Sequence, residues 1–327
     1  MEGFMSLSQK KEGKNSVRNY KIIVKASGAI TQIPDSQKIF GALISHYARI
    51  KGDEKAAELV KSVLEKRIHL ALSDALPLDC VPMPFEYVID RLKKTISEDS
   101  SLKEMRKEIK KKAYIEERDL EKVLYDPKEA SRLSSYVTMY SDQQLRASMD
   151  SVRYGIEGLE TKLYTVPVTK VMKVEKSGET RPVSEFYFYL QGNDDKVMES
   201  LLGIIQRFQE TQESMILGKR GSQGLNLYRI KDIRKADITG GNSYLNLGML
   251  LPEQINFSGS FLKLFTSERR SFDISREDKR YFISFIESGS IIVLNNGIKS
   301  AGKCVPSPFN PQRDIVFGNA FLYPISI

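Results

Sequence analysis

The chain has 327 residues, 50 Lys and Arg against 42 Asp and Glu, and a formal net charge of +8. That length allows two domains with a substantial core, and the charge favours an acidic partner such as nucleic acid. With only Cys80, Cys304, His46 and His69 to supply soft ligands, a disulfide framework and a zinc ribbon are excluded, and no metal or cofactor is expected.

Residues 1–18 are polar, carry Lys10, Lys11 and Lys14, and lack an apolar h-region, so they read as a basic disordered arm and not as a secretory signal. No apolar run approaches the length of a membrane span, which predicts a cytoplasmic protein. Tyr20 to Ala26 reads as a buried first strand. Pro34-Asp35-Ser36 opens a helix that Asp35 or Ser36 caps, with Ile39, Phe40, Leu43, Ile44 and Tyr47 on one face. A second helix is predicted from about Glu54 to Lys66. Pro77, Pro82 and Pro84 hold the next segment extended or looped.

Residues 100–124 are dense in Lys and Glu around Leu102, Met105, Ile109, Leu120 and Val123, the pattern of a solvated outer helix. Lys110-Lys111-Lys112 leaves RNA contact open. Residues 135–180 show no clear period. Arg146, Arg153, Lys162, Lys170 and Lys173 are interleaved there with Tyr136, Tyr140, Tyr154 and Tyr164, which suits either a single-stranded RNA surface or a long peripheral loop. Glu185 to Leu190 is a strand. Asp194 or Asp195 caps the following helix, whose core face is Val197, Leu201, Leu202, Ile205 and Phe208. Gly192-Asn193-Asp194-Asp195 resembles a metal-binding Gly-Gly-Asp-Asp turn, but its place at a helix start assigns the acids to capping.

Gly218, Gly221 and Gly224 then enclose Lys219-Arg220 and Ser222-Gln223. Exposed backbone N–H groups beside a basic pair suit a phosphate, and the loop reads as a helix-to-strand connection before Leu225 to Lys231. It lacks the spacing of a Walker A or a dinucleotide loop. A plain turn needs only one of the three glycines, so a turn and an RNA-backbone contact both stay open.

The order strand, helix, insertion, strand, helix, glycine loop, strand fits an elaborated ferredoxin-like unit. From about residue 236 a strand-rich unit follows, with strands near 244–251, 281–286, 290–294 and 315–327. Phe257, Phe261 and Phe265 recur at helical spacing, which Gly259 weakens. Arg269 and Arg270 follow, either as RNA contacts or as surface ion-pair partners. No acid–base pair or nucleophile motif is apparent, and His46 and His69 read as packed or surface residues.

Several segments in this order resemble one family. They are Ser36-Gln-Lys-Ile-Phe-Gly-Ala-Leu-Ile-Ser-His46, Leu72 to Pro77, Leu217 to Asn226, Arg270-Ser-Phe272 and Phe285 to Ser290. The chain resembles the RAMP superfamily of CRISPR proteins from about Asn19 onward, and within it the fourth-subunit family of type III-A (Csm) effector complexes. The resemblance implies an α+β fold of two ferredoxin-like (RRM-like) domains, 19–235 and 236–327, with a helical and loop insertion in the first. It implies a thumb-like element near 135–175, a glycine-rich loop at 218–224 and no catalysis. The partners it implies are crRNA, held by its repeat-derived 5′ tag, the large polymerase-cyclase subunit and an adjacent backbone RAMP subunit. RNA-binding residues are then expected at Ser36, Lys38, Gly218, Lys219, Arg220, Gly221, Ser222, Gln223 and Gly224, with Arg153, Lys170, Arg269 and Arg270 beside them. The competing reading is a metal-independent RAMP endoribonuclease that processes pre-crRNA with His46 as its base.

Overall fold

The computed structural model describes residues 17–96, 99–147, 163–238, 240–270, 280–295, 301–311 and 314–327. The chain opens with β1 (Arg18–Ala26), α1 (Ser36–Lys51), α2 (Asp53–Leu64) and three short strands, β2 (Leu70–Leu72), β3 (Leu76–Pro77) and β4 (Cys80–Pro82). Next come α3 (Phe85–Thr95), α4 (Asp99–Lys110), β5 (Tyr114–Glu116), α5 (Leu120–Tyr125) and α6 (Glu129–Arg132). The long strands β6 (Tyr136–Ala147) and β7 (Leu163–Val174) precede β8 (Thr180–Pro182), β9 (Glu185–Gly192), α7 (Asp195–Thr211), β10 (Ser214–Ile216) and β11 (Leu227–Lys235).

The central sheet has the order β10-β11-β1-β9-β2, with each neighbouring pair antiparallel and β3 also paired with β9. Without β10 and β3 it is the four-strand pattern of a ferredoxin-like unit, in which β1, α1, β2, β9, α7 and β11 are the repeated elements. Ile22, Ile23 and Val24 of β1 and Phe186 to Leu190 of β9 are all buried, so both faces of this sheet are covered. The helical face carries α1, whose Ile39, Phe40 and Leu43 are buried, and α7, whose Met198, Leu201, Ile204 and Ile205 are buried. The caps are Asp35, which accepts from the Lys38 N–H, and Asp194, which accepts from the Val197 N–H.

A second sheet, β4-β5-β6-β7-β8, fills the insertion. Here the structure corrects two expectations. The charged stretch 100–124 is not one outer helix: α4 stops at Lys110, and Tyr114, Ile115 and Glu116 form a buried strand. Lys112 lies in the interior, where its ammonium donates to the carbonyls of Ala130 (2.9 Å) and Ser131 (2.6 Å), so it belongs neither to a charged exterior nor to an RNA contact. Nor are the described residues of 135–180 irregular. β6 and β7 pair over their whole length as a two-stranded ribbon. From Met139 onward most of β6 is solvated, and with no buried face to alternate against, the sequence shows no period of two.

Beyond Lys235 the described residues form strands and no helix. β12 (Ser243–Asn246) lies between β15 (Ile291–Val293) and β18 (Leu322–Ile325), β13 (Leu264–Arg270) pairs with β14 (Arg280–Ile286), and β16 (Val305–Pro306) pairs with β17 (Ile315–Val316). The helical spacing of Phe257, Phe261 and Phe265 has no helix behind it. Phe261 packs edge-on against Tyr87, while Phe257 is exposed and Phe265 begins a ribbon. This strand-rich part closes the second face of the central sheet. Phe317 stacks on Phe40 at 4.2 Å and Phe321 on Tyr189 at 4.5 Å, and the Leu72 and Phe321 backbones are bonded at 2.9 Å. Leu245, Leu247, Ile291, Phe317 and Phe321 share one apolar cluster with Ile22, Phe40 and Leu201, so the core is continuous across residue 235.

Candidate RNA-backbone interface

The glycine loop joins β10 to β11, and is therefore a hairpin loop; the helix-to-strand connection expected from sequence is corrected by the short strand Ser214–Ile216. Each of its three glycines has a local cause. Gly218 and Gly224 sit at φ +143° and +75°, where a side chain is strained. A Cβ on Gly221 would lie 2.7 Å from the Ile216 side chain. Arg220 takes the left-handed conformation at φ +65° with no glycine to ease it.

The loop is pinned from below by Asn226, only 1% exposed. Its Nδ2 donates to the Thr31 hydroxyl (2.9 Å) and the Lys219 carbonyl (2.7 Å), and its Oδ1 accepts from the Thr31 N–H (2.9 Å). The β1–α1 connection and the glycine loop are thereby locked together. Gly28 completes the fit, since a Cβ there would meet the Gly224 carbonyl at 3.2 Å. The ribbon reaches the same place: Arg146 Nη1 donates to the Gln223 carbonyl at 2.7 Å.

With its underside tied down, the loop presents Lys219, Arg220, Ser222 and Gln223 to solvent. Between it and α1 lies a cleft of about 370 Å³ lined by Lys38, Ser45, His46, Arg49, Gly218 and Lys219, with Gly41 and Ala42 as its small-residue wall. Lys219 and Arg49, which line the cleft, and the neighbouring Arg220 have no ion pair among the described residues. Gly41 is a helix-interior glycine whose missing Cβ would meet nothing within 4 Å. Glycine there costs the helix about 0.5–1 kcal/mol against alanine, and what it provides is room. His46 is half-buried, with its ring edge-on to Phe208 at 4.6 Å. Burial first, and then the Arg49 charge, hold its imidazole below the ordinary histidine value, against an opposing pull from Glu213.

The remaining sequence-predicted residues fall differently. Ser36 is fully buried. Its N–H donates to Asp74 Oδ1 at 2.7 Å and its hydroxyl accepts from the Met249 N–H at 3.0 Å, so it locks α1 to the strand-rich part and cannot meet RNA. Lys38 lines the cleft, but its ammonium is paired with Asp35. Lys170 forms an ion pair with Asp142 across the ribbon at 2.6 Å. Arg153 lies outside the described residues. The backbones of Arg269 and Arg270 end β13 opposite Tyr281 and Arg280, and their side chains also lie outside the description. The sequence reading missed Gly41 and Arg49, although Lys38, Ala42, Ser45 and Arg49 recur at helical spacing on the polar face of α1. It also missed Asn226, whose role depends on Thr31, far away in sequence.

No family model matches this chain, and neither does any curated protein. Solved structures do match over almost the whole length. A chain of the Csm1–Csm4 cassette in complex with pppApA aligns with a TM-score of 0.55 and 15% identity, covering 95% of this chain and 99% of that one. The cassette with AMPPNP aligns at 0.54 and 17% identity, with 95% and 99% covered. The cassette with cA4 aligns at 0.52 and 16%, with 94% and 98% covered. The fold of this chain, α+β with several antiparallel sheets, is thus similar to that of a chain of the Csm1–Csm4 cassette over 95% of its length, in agreement with the fold class expected from sequence.

Proposed function

We propose that this protein is a crRNA-binding subunit of a type III-A CRISPR interference complex, holding the 5′ repeat-derived tag and docking the large polymerase-cyclase subunit and an adjacent backbone RAMP subunit, with no catalysis of its own. One observation carries the RNA part. A rigid glycine hairpin loop and the polar face of α1 enclose a cleft whose Lys219 and Arg49 have no acidic partner among the described residues. Fixed cations along an open groove are what a phosphate backbone requires, and such contacts set register without reading sequence. The complex part is supported by the full-length likeness to the Csm1–Csm4 cassette, whose name pairs the two proteins. The test is binding of a repeat-tag RNA across a salt series, together with capture of the large subunit from a co-expressed mixture. Salt-independent RNA binding would overturn the RNA reading, and failure to capture the large subunit would overturn the assembly reading.

A second reading has its own observation. His46, its pKa lowered by burial and then by the Arg49 charge, lies in the same cleft as Lys219, the composition of a metal-independent ribonuclease site. Cleavage of repeat RNA in the presence of a chelator, abolished by His46→Ala, would establish that reading. We expect no cleavage and intact RNA binding in the His46→Ala protein.

A further inference from the structure

At the opposite end of β1 from the glycine loop, about 25 Å away by the rise of a strand, the structure holds a second cavity, of about 620 Å³. It is of the size that takes small molecules. Among the described residues no Lys, Arg, Asp or Glu lines it. In a chain with 92 such residues this is a marked local composition, and it removes phosphate and carboxylate as anchors for a ligand there.

What lines it instead is carboxamide. Asn19, Gln191, Asn193 and Asn319 converge on it together with His69. Part of this set is a fixed frame: Gln191 Nε2 donates to Asn19 Oδ1 at 2.8 Å, Gln191 Oε1 meets His69 Nε2 at 3.1 Å, and Asn193 Oδ1 accepts from the His69 N–H at 2.9 Å. The frame leaves groups over. Asn193 Nδ2 has no partner among the described residues. Asn319 is more than nine-tenths buried, at 8% exposure, and its carboxamide likewise has no partner among the described residues. These amide groups border the cavity, where a ligand's hydrogen bonds can reach them. The rest of the wall is small or apolar. Gly302 has no space for a side chain, since its Cβ would lie 2.9 Å from the Gly318 carbonyl, and Ile238, Ala320 and Leu322 supply flat apolar surface.

We propose that this cavity binds a purine base, edge-on to Asn193 and Asn319 and with its face against Ile238 and Leu322. A carboxamide offers one donor and one acceptor in a plane, and adenine answers with an acceptor and a donor side by side. The ribose and any phosphate then lie toward the mouth. The base comes from one of two sources, a free nucleoside or a nucleotide of a bound strand.

Adenosine titrated into the full-length protein, followed by calorimetry at low and high salt, is the probe. The expected result is saturable one-to-one binding that does not change with salt, unlike binding at the glycine loop, so this outcome stands or falls separately from the RNA-backbone reading. Asn319→Ala and Asn193→Ala should each weaken adenosine by about tenfold, the value of one well-made hydrogen bond in a closed site. Photo-crosslinking of azidoadenosine to the unaltered protein covers the case in which a variant fails to fold, and its label should map to 191–193 or 317–324. A short oligoadenylate that displaces adenosine identifies a strand as the source, and one that fails to displace it identifies the free nucleoside. No adenosine binding, unchanged affinity in both folded variants, or a label elsewhere would each overturn the proposal.

Discussion

At the scale of single residues, the charges that matter are those the fold leaves unpaired. Lys170 and Lys38 carry the same charge as Lys219 but are paired with Asp142 and Asp35. Replacing Lys219 and Arg220 together by Ala should therefore lower the salt slope of RNA binding by up to about 2, at ~0.7–0.9 per phosphate, while Lys170→Ala should change it little. Filter binding across a salt series measures both. Gly41→Ala should separate stability from function. The helix gains about 0.5–1 kcal/mol, read as a higher melting temperature, while the methyl narrows the cleft and weakens RNA binding. Asp74 offers a pH test. Burial, with the Asp35 charge second, pushes its carboxyl up to about 8, against the pull of the Ser36 N–H. A carboxyl raised in the folded state stabilises while it is protonated, so its contribution is complete below the ordinary carboxylate range and is lost as pH rises toward 8. Asp74→Asn keeps the acceptor for Ser36 and carries no charge, so its advantage over the unaltered protein should grow across that window in denaturant melts.

At the scale of elements, amphipathic patterns were legible and unsupported ribbons were not. α1 and α7 declared themselves because one stripe of each is buried, as Ile39, Phe40 and Leu43 and as Leu201 and Ile205. β6 did not, because from Met139 onward it is mostly solvated and needs no alternation, while the alternate burial of Val166 and Val168 on β7 is too short a signal to stand out. The charged 100–124 stretch misled for the opposite reason: Lys112 is polar in sequence but is satisfied inside by two carbonyls. The glycine loop was visible as an unusual composition, yet its anchor was not, since Asn226 and Thr31 are 195 positions apart. Asn226→Ala should release the loop and leave buried groups unpaired, at a cost of about 1–3 kcal/mol, measured by chemical denaturation. RNA binding should fall as well, because the cations lose their fixed spacing.

For the whole molecule, the continuous core predicts one cooperative unfolding transition despite the length, because Phe40 and Phe317 stack across the two parts. Phe40→Ala should cost about 3–5 kcal/mol without splitting the calorimetric peak into two. The β13–β14 ribbon is the other whole-molecule feature. Leu264 and Phe282 are each about two-thirds exposed, with Phe265 and Tyr281 beside them. Exposed apolar surface of this kind is what a docking interface uses. In the proposed assembly, Leu264→Ser with Phe282→Ser should reduce capture of a partner subunit in a pull-down, while the melting temperature stays within about a degree or two of the parent because exposed side chains contribute little to folding.

By itself the amino-acid sequence determined the first helix and α7, the strands β1 and β9, the ferredoxin-like order of the first unit, the scarcity of Cys and His and the position of the basic glycine loop. All of these follow from local pattern, propensity and composition. Tertiary structure alone decided which cations are free, that Ser36 is sealed and Arg49 is not, that Arg146 reaches the loop from a ribbon, and that uncharged amides gather at the far end of β1. Those facts depend on which distant residues meet across the sheet. Burial and pairing are properties of such meetings, and no stretch of chain read alone contains them.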